Sequence, residues 1–410
     1  MFDYDHREGS FMRRSGCTFL VGISLVATST AIKAASLDDC LKSDAFNAID
    51  ATYETCTTVI DDGALPAKDL AQALTQRANA MHFANRPAMA IEDTSKALRL
   101  DPNFAPAYLR RAWAEWAIGE IGGATRDVQA AVTIDPKDAN ALHALAIIAY
   151  DRRNGGQSFD REKQRAALEQ ALESDPDHPR ALFSLALTLV EDFGQINEGL
   201  AVFDRLFAVD RARVETTTYY RPPGWRFHPN FYVVALEERA EIKSRLKRKD
   251  GIDDFNEVIR LAPDYAQAYL GRSHYYLNVA RDPIKALADS QKAQELEPNR
   301  QEPLMSQVQS LMSLKRYDSL LPIAQQLIER PGTIEGRSYG YHGRYLVYKS
   351  QGRHEEAFAD GQQWLAHAPY YIPTVKTNLE RRGYFSGPHD YDMTEEFLNG
   401  FKACIIDPDC

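Results

Sequence analysis

The stretch from Ala90 to Phe104, AIEDTSKALRLDPNF, is restated 34 residues later as ATRDVQAAVTIDPKD from Ala124 to Asp138. The copies share Ala90 and Ala124, Asp93 and Asp127, Ala97 and Ala131, Asp101 and Asp135, and Pro102 and Pro136. Alanines seven apart lie on one face of a helix, and small side chains there let a neighbouring helix approach closely. Proline cannot continue a helix and pushes the residue before it toward extended backbone, so each Asp-Pro marks a turn. One helix pair cannot bury its apolar face alone, and a chain that repeats such a phrase must stack the copies.

The phrase returns with slips at Ala171 with Pro176, Val258 with Pro263, Ala286 and Ala293 with Pro298, and Ala357 and Trp364 with Pro369. Upstream of each copy lies a second amphipathic segment, opened by a Tyr or Leu with a small residue four positions on: Tyr108 and Ala112, Leu142 and Ala146, Leu182 and Ala186, Tyr269 and Ser273. This pattern resembles the tetratricopeptide repeat, a helix, a turn and a second helix in about 34 residues. The resemblance runs from Lys68 to Pro369 and implies an all-α fold, a right-handed α-solenoid of seven to eight repeats with capping helices. Two copies, from Ala71 and from Ala105, are near full matches, with Glu115 where the family has an aromatic. The third carries about six extra residues around Asn154-Gly155-Gly156-Gln157, the fourth ends at Asp210 without its proline, and the sixth gains a residue near Asp282-Pro283. Gln301 to Pro331 is the weakest copy.

The start is of another kind. Met12-Arg13-Arg14, an apolar run from Cys17 to Ala31 and a small-residue end read as a secretory signal peptide over 1–34, cut after Ala34, with Met12 a better start than Met1. The run is short for a membrane span and touches the membrane only if it stays uncleaved as an anchor. The expected organisation is then an amino-terminal cap over 35–67, repeats one to four over 68–210, an aromatic and proline-rich insertion over 211–231, repeats five to eight over 232–369, and carboxy-terminal capping helices over 370–410. Removing the signal leaves Cys40, Cys56, Cys404 and Cys410. An even count in an exported, periplasmic chain is the disulfide expectation, and neighbouring pairs would staple the two ends where a solenoid frays.

A net charge of −10 argues against a nucleic-acid partner. The one basic run, Lys243 to Lys249, reads first as a solvated helix terminus and second as a patch for an acidic partner. No Gly-x-Ser-x-Gly, His-Glu-x-x-His, phosphate-binding Gly loop or Cys-x-x-Cys occurs, so no catalytic residue, cofactor or metal ligand is assigned. His82, His143, His274 and His342 fall on first-helix positions, in repeats too far apart to share one ion, and read as polar groove residues.

The resemblance implies a concave groove that binds a protein or peptide. In chaperone-cofactor members a lysine and asparagine set clamps a terminal carboxylate; Asn79 matches one such position, but Trp113, Trp116, His143 and Ile147 stand where the cations would follow. The candidate groove residues are Asn79, Phe83, Leu109, Trp113, Trp116, Ile147, Tyr150, Phe183 and Leu187, because large rigid side chains make binding hot spots. A second candidate surface is Thr218 to Tyr232, with three prolines and six aromatics, expected to fold back on the solenoid, or else to act as a hinge or a partner contact. The expected function is a non-catalytic scaffold or adaptor of the bacterial cell envelope. The alternatives are a cell-wall or glycan hydrolase with its site on the inserted loops, and a structural subunit of an envelope assembly.

Overall fold

The computed structural model describes residues 35–45, 48–150, 160–217 and 230–410. The signal segment, the Asn154–Gln157 insertion and most of the aromatic insertion lie outside the described residues. Two helices, α1 (Leu37–Leu41) and α2 (Ile49–Asp61), lead into eight helix pairs. The first four pairs are α3 (Ala67–Phe83) with α4 (Pro87–Leu100), α5 (Ala105–Ala117) with α6 (Ile121–Ile134), α7 (Ala139–Tyr150) with α8 (Arg161–Ser174), and α9 (Pro179–Glu191) with α10 (Ile196–Ala208). A short α11 (Arg211–Glu215) follows. The remaining pairs are α12 (Phe231–Arg245) with α13 (Gly251–Leu261), α14 (Ala266–Tyr275) with α15 (Pro283–Leu296), α16 (Glu302–Ser313) with α17 (Tyr317–Glu329), and α18 (Ile334–Ser350) with α19 (His354–His367). Helices α20 (Ile372–Arg381) and α21 (Glu395–Ile406) close the array, and no strand occurs among the described residues.

The repeated residues account for this order. Ala90, Ala97, Ala124, Ala131, Ala171, Ala286, Ala293 and Ala357 are all fully buried, and their lack of bulk lets the helices of a pair and its neighbour close up. Asp101, Asp135 and Asp175 take extended backbone before their prolines, and each accepts the N–H two residues on at 3.0–3.3 Å. Left-handed residues close the turns inside the pairs: Gly119, Gly194 and Gly352 in three, Asn85, Lys247, Arg281 and Lys315 in four others. Along the array α3 packs on α5, α5 on α7 and α7 on α9, then α12 on α14, α14 on α16 and α16 on α18. First helices therefore pack on one another in two runs, α3 to α9 and α12 to α18, and form an inner layer in each.

The irregular copies resolve differently. The extra residue of the sixth is absorbed as a π-helical turn, Tyr276–Ala280, after α14, ending at left-handed Arg281, which is how a helix accommodates one inserted residue. The weakest copy is a full pair: Leu304, Val308 and Leu311 of α16 and Leu320, Ala324 and Leu327 of α17 are buried, so larger aliphatics replace the alanine seam. In the fourth, the Asp210 carboxylate caps α11 by accepting from Arg213 N–H at 3.1 Å.

Both ends are stapled. Cys40–Cys56 joins α1 to α2, which packs on α3, and Cys404–Cys410 ties the end of α21 to the last residue. In the carboxy-terminal cap the fully buried Lys376 pairs with Asp390 and lies 5.4 Å from the rings of both Phe385 and Phe397. Structural disulfides of this kind belong to an oxidising compartment. Among the described residues no helix is long and apolar enough to cross a membrane.

Candidate functional site

Two kinds of arginine divide the molecule. Arg77, Arg111, Arg239, Arg272 and Arg344, each on a first helix, grip Asp93, Asp127, Asp254, Asp289 and Asp360 on the second helix of the same pair, donating to both carboxylate oxygens at 2.6–2.9 Å. Each guanidinium also lies over a ring, of Tyr53, Tyr108, Phe207, Tyr269 and Tyr341 in turn, at 4.3–5.8 Å. The hydrogen bonds they donate to their aspartates raise the pKa of Arg77, Arg111, Arg272 and Arg344. These bidentate clamps are structural and fix the register of the two helices. In the third and fourth pairs the equivalent positions are Leu145 with Ala167 and Leu185 with Val202, packed in the core.

A second kind of arginine lies on the inner layer, on either side of the third pair. Arg110 of α5 and Arg180 of α9 line a pocket of about 180 Å³ with Asp138, Asn140 and His143, while Pro106, Leu109 and Trp113 form its apolar wall. Arg180 donates to Asn140 Oδ1 at 2.6 Å, and the same oxygen lies 3.2 Å from His178 Nε2. His178 Nδ1 accepts from Ala181 N–H at 3.1 Å, which leaves Nε2 to carry the proton and donate to Asn140. His143 Nε2 is 3.1 Å from Ser184 Oγ, and its ring lies 5.9 Å from His178 and 6.3 Å from Trp113.

The electrostatics follow from burial. Among the described residues no carboxylate lies within ion-pair distance of Arg110 or Arg180; Asp138 acts on both at longer range and itself accepts Asn140 N–H at 2.9 Å. Desolvation lowers the pKa of Arg110, and desolvation followed by repulsion from Arg110 brings Arg180 down to about 10. Burial, then Arg180, holds His143 well below the ordinary histidine value and His178 at about 4. At neutral pH the pocket thus holds two cations, one anion and neutral imidazoles, a local positive charge in a chain of net charge −10.

The expected groove residues do not all reach this surface. Trp113 lines the pocket and meets Trp116 edge-on, with centroids 5.7 Å apart. Leu109 reaches it only at its edge, being 7% exposed. Asn79, Phe83, Ile147 and Leu187 are half-buried on first helices; the Asn79 Oδ1 is buried with no hydrogen-bond partner among the described residues, and Phe83 packs edge-on to His82. Phe183 is a correction: it is a core residue, 2% exposed, with rings of Phe203 and Phe231 at 5.9 and 5.3 Å, because Phe231 at the start of α12 covers it. The Tyr150 side chain lies outside the described residues.

The four histidines divide: His143 is buried yet lines the pocket, His274 is exposed, His82 is buried, and His342 is half-buried, stacked on Trp364 at 3.9 Å and 3° with its pKa lowered to about 4 by burial. Among the described residues no group of three or more His, Cys, Asp or Glu side chains is arranged to hold a metal ion. The basic run is a solvated helix terminus over Arg245 to Lys249, all exposed, with Arg248 paired to Asp250 at 3.0 Å; the exception is Lys243, which is buried and pairs with Asp254 at 2.9 Å and Asp250 at 3.3 Å. Arg110, Arg180, Asp138 and Asn140 were not legible as a site, since each reads alone as ordinary helix or turn polarity. The adjacent pair Arg110-Arg111 was the available signal, because two neighbouring residues on a helix cannot face the same way.

No family model matches the chain. Over 140 residues it is 35% identical to a DnaJ homolog subfamily C member 7 homolog of Dictyostelium discoideum, a match covering 30% of this chain and 26% of that protein, so the chain spans about a quarter of that relative's length. Solved structures similar to it include a tetratricopeptide repeat protein from Parabacteroides merdae, with 16% identity, 64% of this chain and 92% of the other covered, and a TM-score of 0.43. Another is YrrB, described as a TPR protein with an unusual peptide-binding site, with 16% identity, 52% and 97% covered, and a TM-score of 0.37. The eight helix pairs, their alanine seams and their Asp-Pro turns give this chain the fold of a tetratricopeptide-repeat solenoid.

Proposed function

We propose that the protein is a non-catalytic scaffold of the bacterial cell envelope that binds a polypeptide along the inner layer of its first four helix pairs. The observation that carries this reading is the pocket between α5, α7 and α9, where Trp113 stands beside two guanidinium groups that no carboxylate among the described residues neutralises within ion-pair distance. A half-buried aromatic next to preorganised donors is the composition of a binding hot spot. The apolar segment over 1–34 and the two disulfides support export to the periplasm. On this reading 35–67 and 370–410 are stapled caps, 68–210 is the binding half, and 232–369 extends the array beyond the insertion over 211–231.

The hydrolase alternative looks for a carboxyl group held protonated as a general acid. Glu115 has its pKa raised by burial and by Asp127, but its carboxylate sits against Gly123 between α5 and α6, with Oε2 buried, and does not line the pocket. The test is capture from envelope extract by the chain from Ala35 to Cys410 and by its Trp113→Ala/Trp116→Ala form, with bound polypeptides identified by mass spectrometry. The reading expects a polypeptide retained by the first and lost by the second, with both giving the same helical content. Equal capture by both, or by Trp113→Phe/Trp116→Phe where the alanine form does not fold, removes the groove from the function.

A further inference from the structure

The two disulfides differ in kind. We infer that Cys404–Cys410 is a thiol–disulfide exchange site that takes electrons from a protein dithiol of the Cys-x-x-Cys class, while Cys40–Cys56 is a permanent bond. Accessibility is the first support, because a thiolate must reach a disulfide sulfur to open it. Cys40 and Cys56 are each 0% exposed, shut in by Leu37, Val59, Ile60, Leu65 and Ala73. Cys404 turns into the carboxy-terminal core, but Cys410 is half-buried and keeps part of its surface in solvent. Loop length points the same way. The pairs are 6 and 16 residues apart, so the carboxy-terminal bond removes less entropy from the unfolded chain and adds less stability.

The surroundings of the bond supply the second support. Lys349 of α18 donates to the Cys404 carbonyl at 3.4 Å, and Arg382 donates to the Asp409 carbonyl at 2.5 Å, which brings two cations to the turn that the bond closes. The nearby Asp407 carboxylate is occupied by the Tyr384 hydroxyl and the Asp409 N–H. Cations beside a cysteine favour its thiolate, and here they offset the carbonyl end of α21, on which Cys404 sits. Opening the bond also leaves the cap in place. Helix α21 is anchored by Phe397 and Phe401, 0% and 3% exposed, and Arg382 and Tyr384 hold the turn without the bond. In α1 the buried residue is Cys40 itself, so that helix is attached through its bond.

The exchange balances without a further reactant. A thiolate of the partner attacks Cys410 Sγ; a mixed disulfide forms as the Cys404–Cys410 bond breaks, and Cys404 leaves as a thiolate that takes a proton from water. The partner's second thiolate then attacks the partner sulfur of the mixed disulfide. Cys410 leaves as the second thiolate and is protonated in turn. This chain gains two electrons and two protons, and the partner's dithiol becomes a disulfide. The same steps in reverse close the cap again.

The experiment follows the oxidised full chain, without denaturant, after free thiols are blocked with iodoacetamide. Reduced thioredoxin is added, newly opened cysteines are labelled with N-ethylmaleimide, and labelled peptides are quantified by mass spectrometry while circular dichroism records helical content. Cys404 and Cys410 are expected to label at least about tenfold faster than Cys40 and Cys56, with helical content unchanged. Thioredoxin whose second active-site cysteine is replaced by serine should be trapped on Cys410. Lys349→Gln/Arg382→Gln should slow the opening by about threefold, and Lys349→Arg/Arg382→Lys, which keeps both charges, should keep the wild-type rate. Equal labelling of the two pairs, opening of Cys404–Cys410 only as helix is lost, or a trapped adduct on Cys40 or Cys56 overturns the exchange site. An unchanged rate in the Gln variant overturns the part given to the cations. None of these outcomes bears on the groove, which the capture experiment tests separately.

Discussion

Arg110 and Arg111 are neighbours on α5, yet they belong to two different regions. Arg111 turns into the seam of its own helix pair, where Asp127 takes both of its donors and Tyr108 lies beneath it. Arg110 turns to the inner layer, where Arg180 faces the same pocket and no carboxylate among the described residues is within ion-pair distance. The seam charge recurs in five pairs at a separation of 15–17 residues, and its pKa is raised where a shift is resolved; the pocket charge falls outside that period, and its pKa is lowered. In a repeat protein, charge that keeps the period builds the stack. Charge that breaks it, at a structural cost, is available for a ligand.

The largest effect should come from breaking a seam. Asp127→Ala leaves Arg111 with its guanidinium largely buried and unpaired and is expected to lower stability by about 3 kcal/mol in urea unfolding, the lower end of what removing one partner of a buried pair costs. The third pair shows the remedy, since Leu145 and Ala167 hold those positions there. Arg111→Leu/Asp127→Ala should therefore recover to within roughly 1 kcal/mol of wild type, because a matched apolar replacement removes both charges together. A double variant as unstable as the single one would mean the clamp sets more than helix register.

Next in size is the amino-terminal staple. Opening Cys40–Cys56 by Cys40→Ser/Cys56→Ser should cost about 3 kcal/mol for a loop of this length. Hydrogen exchange should accelerate in α2 and α3 before the later pairs. Uniform acceleration along the array would contradict a staple that protects one end.

The pH response sharpens the contrast, because the histidines around the pocket and in the carboxy-terminal stack are held neutral by burial. His82, His178 and His342 have folded pKa values of about 4 against 6.5 for an unperturbed side chain. Lowered folded values mean that the unfolded chain binds more protons between these limits, so stability is full above pH 6.5 and falls as pH drops toward 4. Each contributes on the order of 1–3 kcal/mol at the acid end. His178→Gln should flatten the fall in melting temperature between pH 6.5 and 4; an unchanged slope would show that His178 titrates normally.

Much of the stack could be read from the chain alone. The alanines and Asp-Pro turns carry both helix spacing and boundary, and the extra residue near Asp282 became the π turn after α14 because an insertion in a helix has few other outlets. The seams were half legible: Asp93 and Asp127 repeat visibly, but their arginines lie a helix away, where hydrophobic periodicity is blind. Phe183 shares the spacing of a groove residue, and only the arrival of Phe231 from beyond an insertion makes it core. Arg110 and Arg180 are 70 residues apart in sequence and two repeats apart in the stack, and a site made by convergence leaves no local motif.

The most direct test of the contrast is the thermal unfolding of Arg110→Gln/Arg180→Gln beside wild type without ligand. If these arginines are kept for a ligand, the variant should unfold at the same temperature or roughly 1–3 °C higher, since removing desolvated, mutually repelling charges relieves a cost. A fall comparable to that of Asp127→Ala would make them structural members of the stack and end the distinction between the two regions.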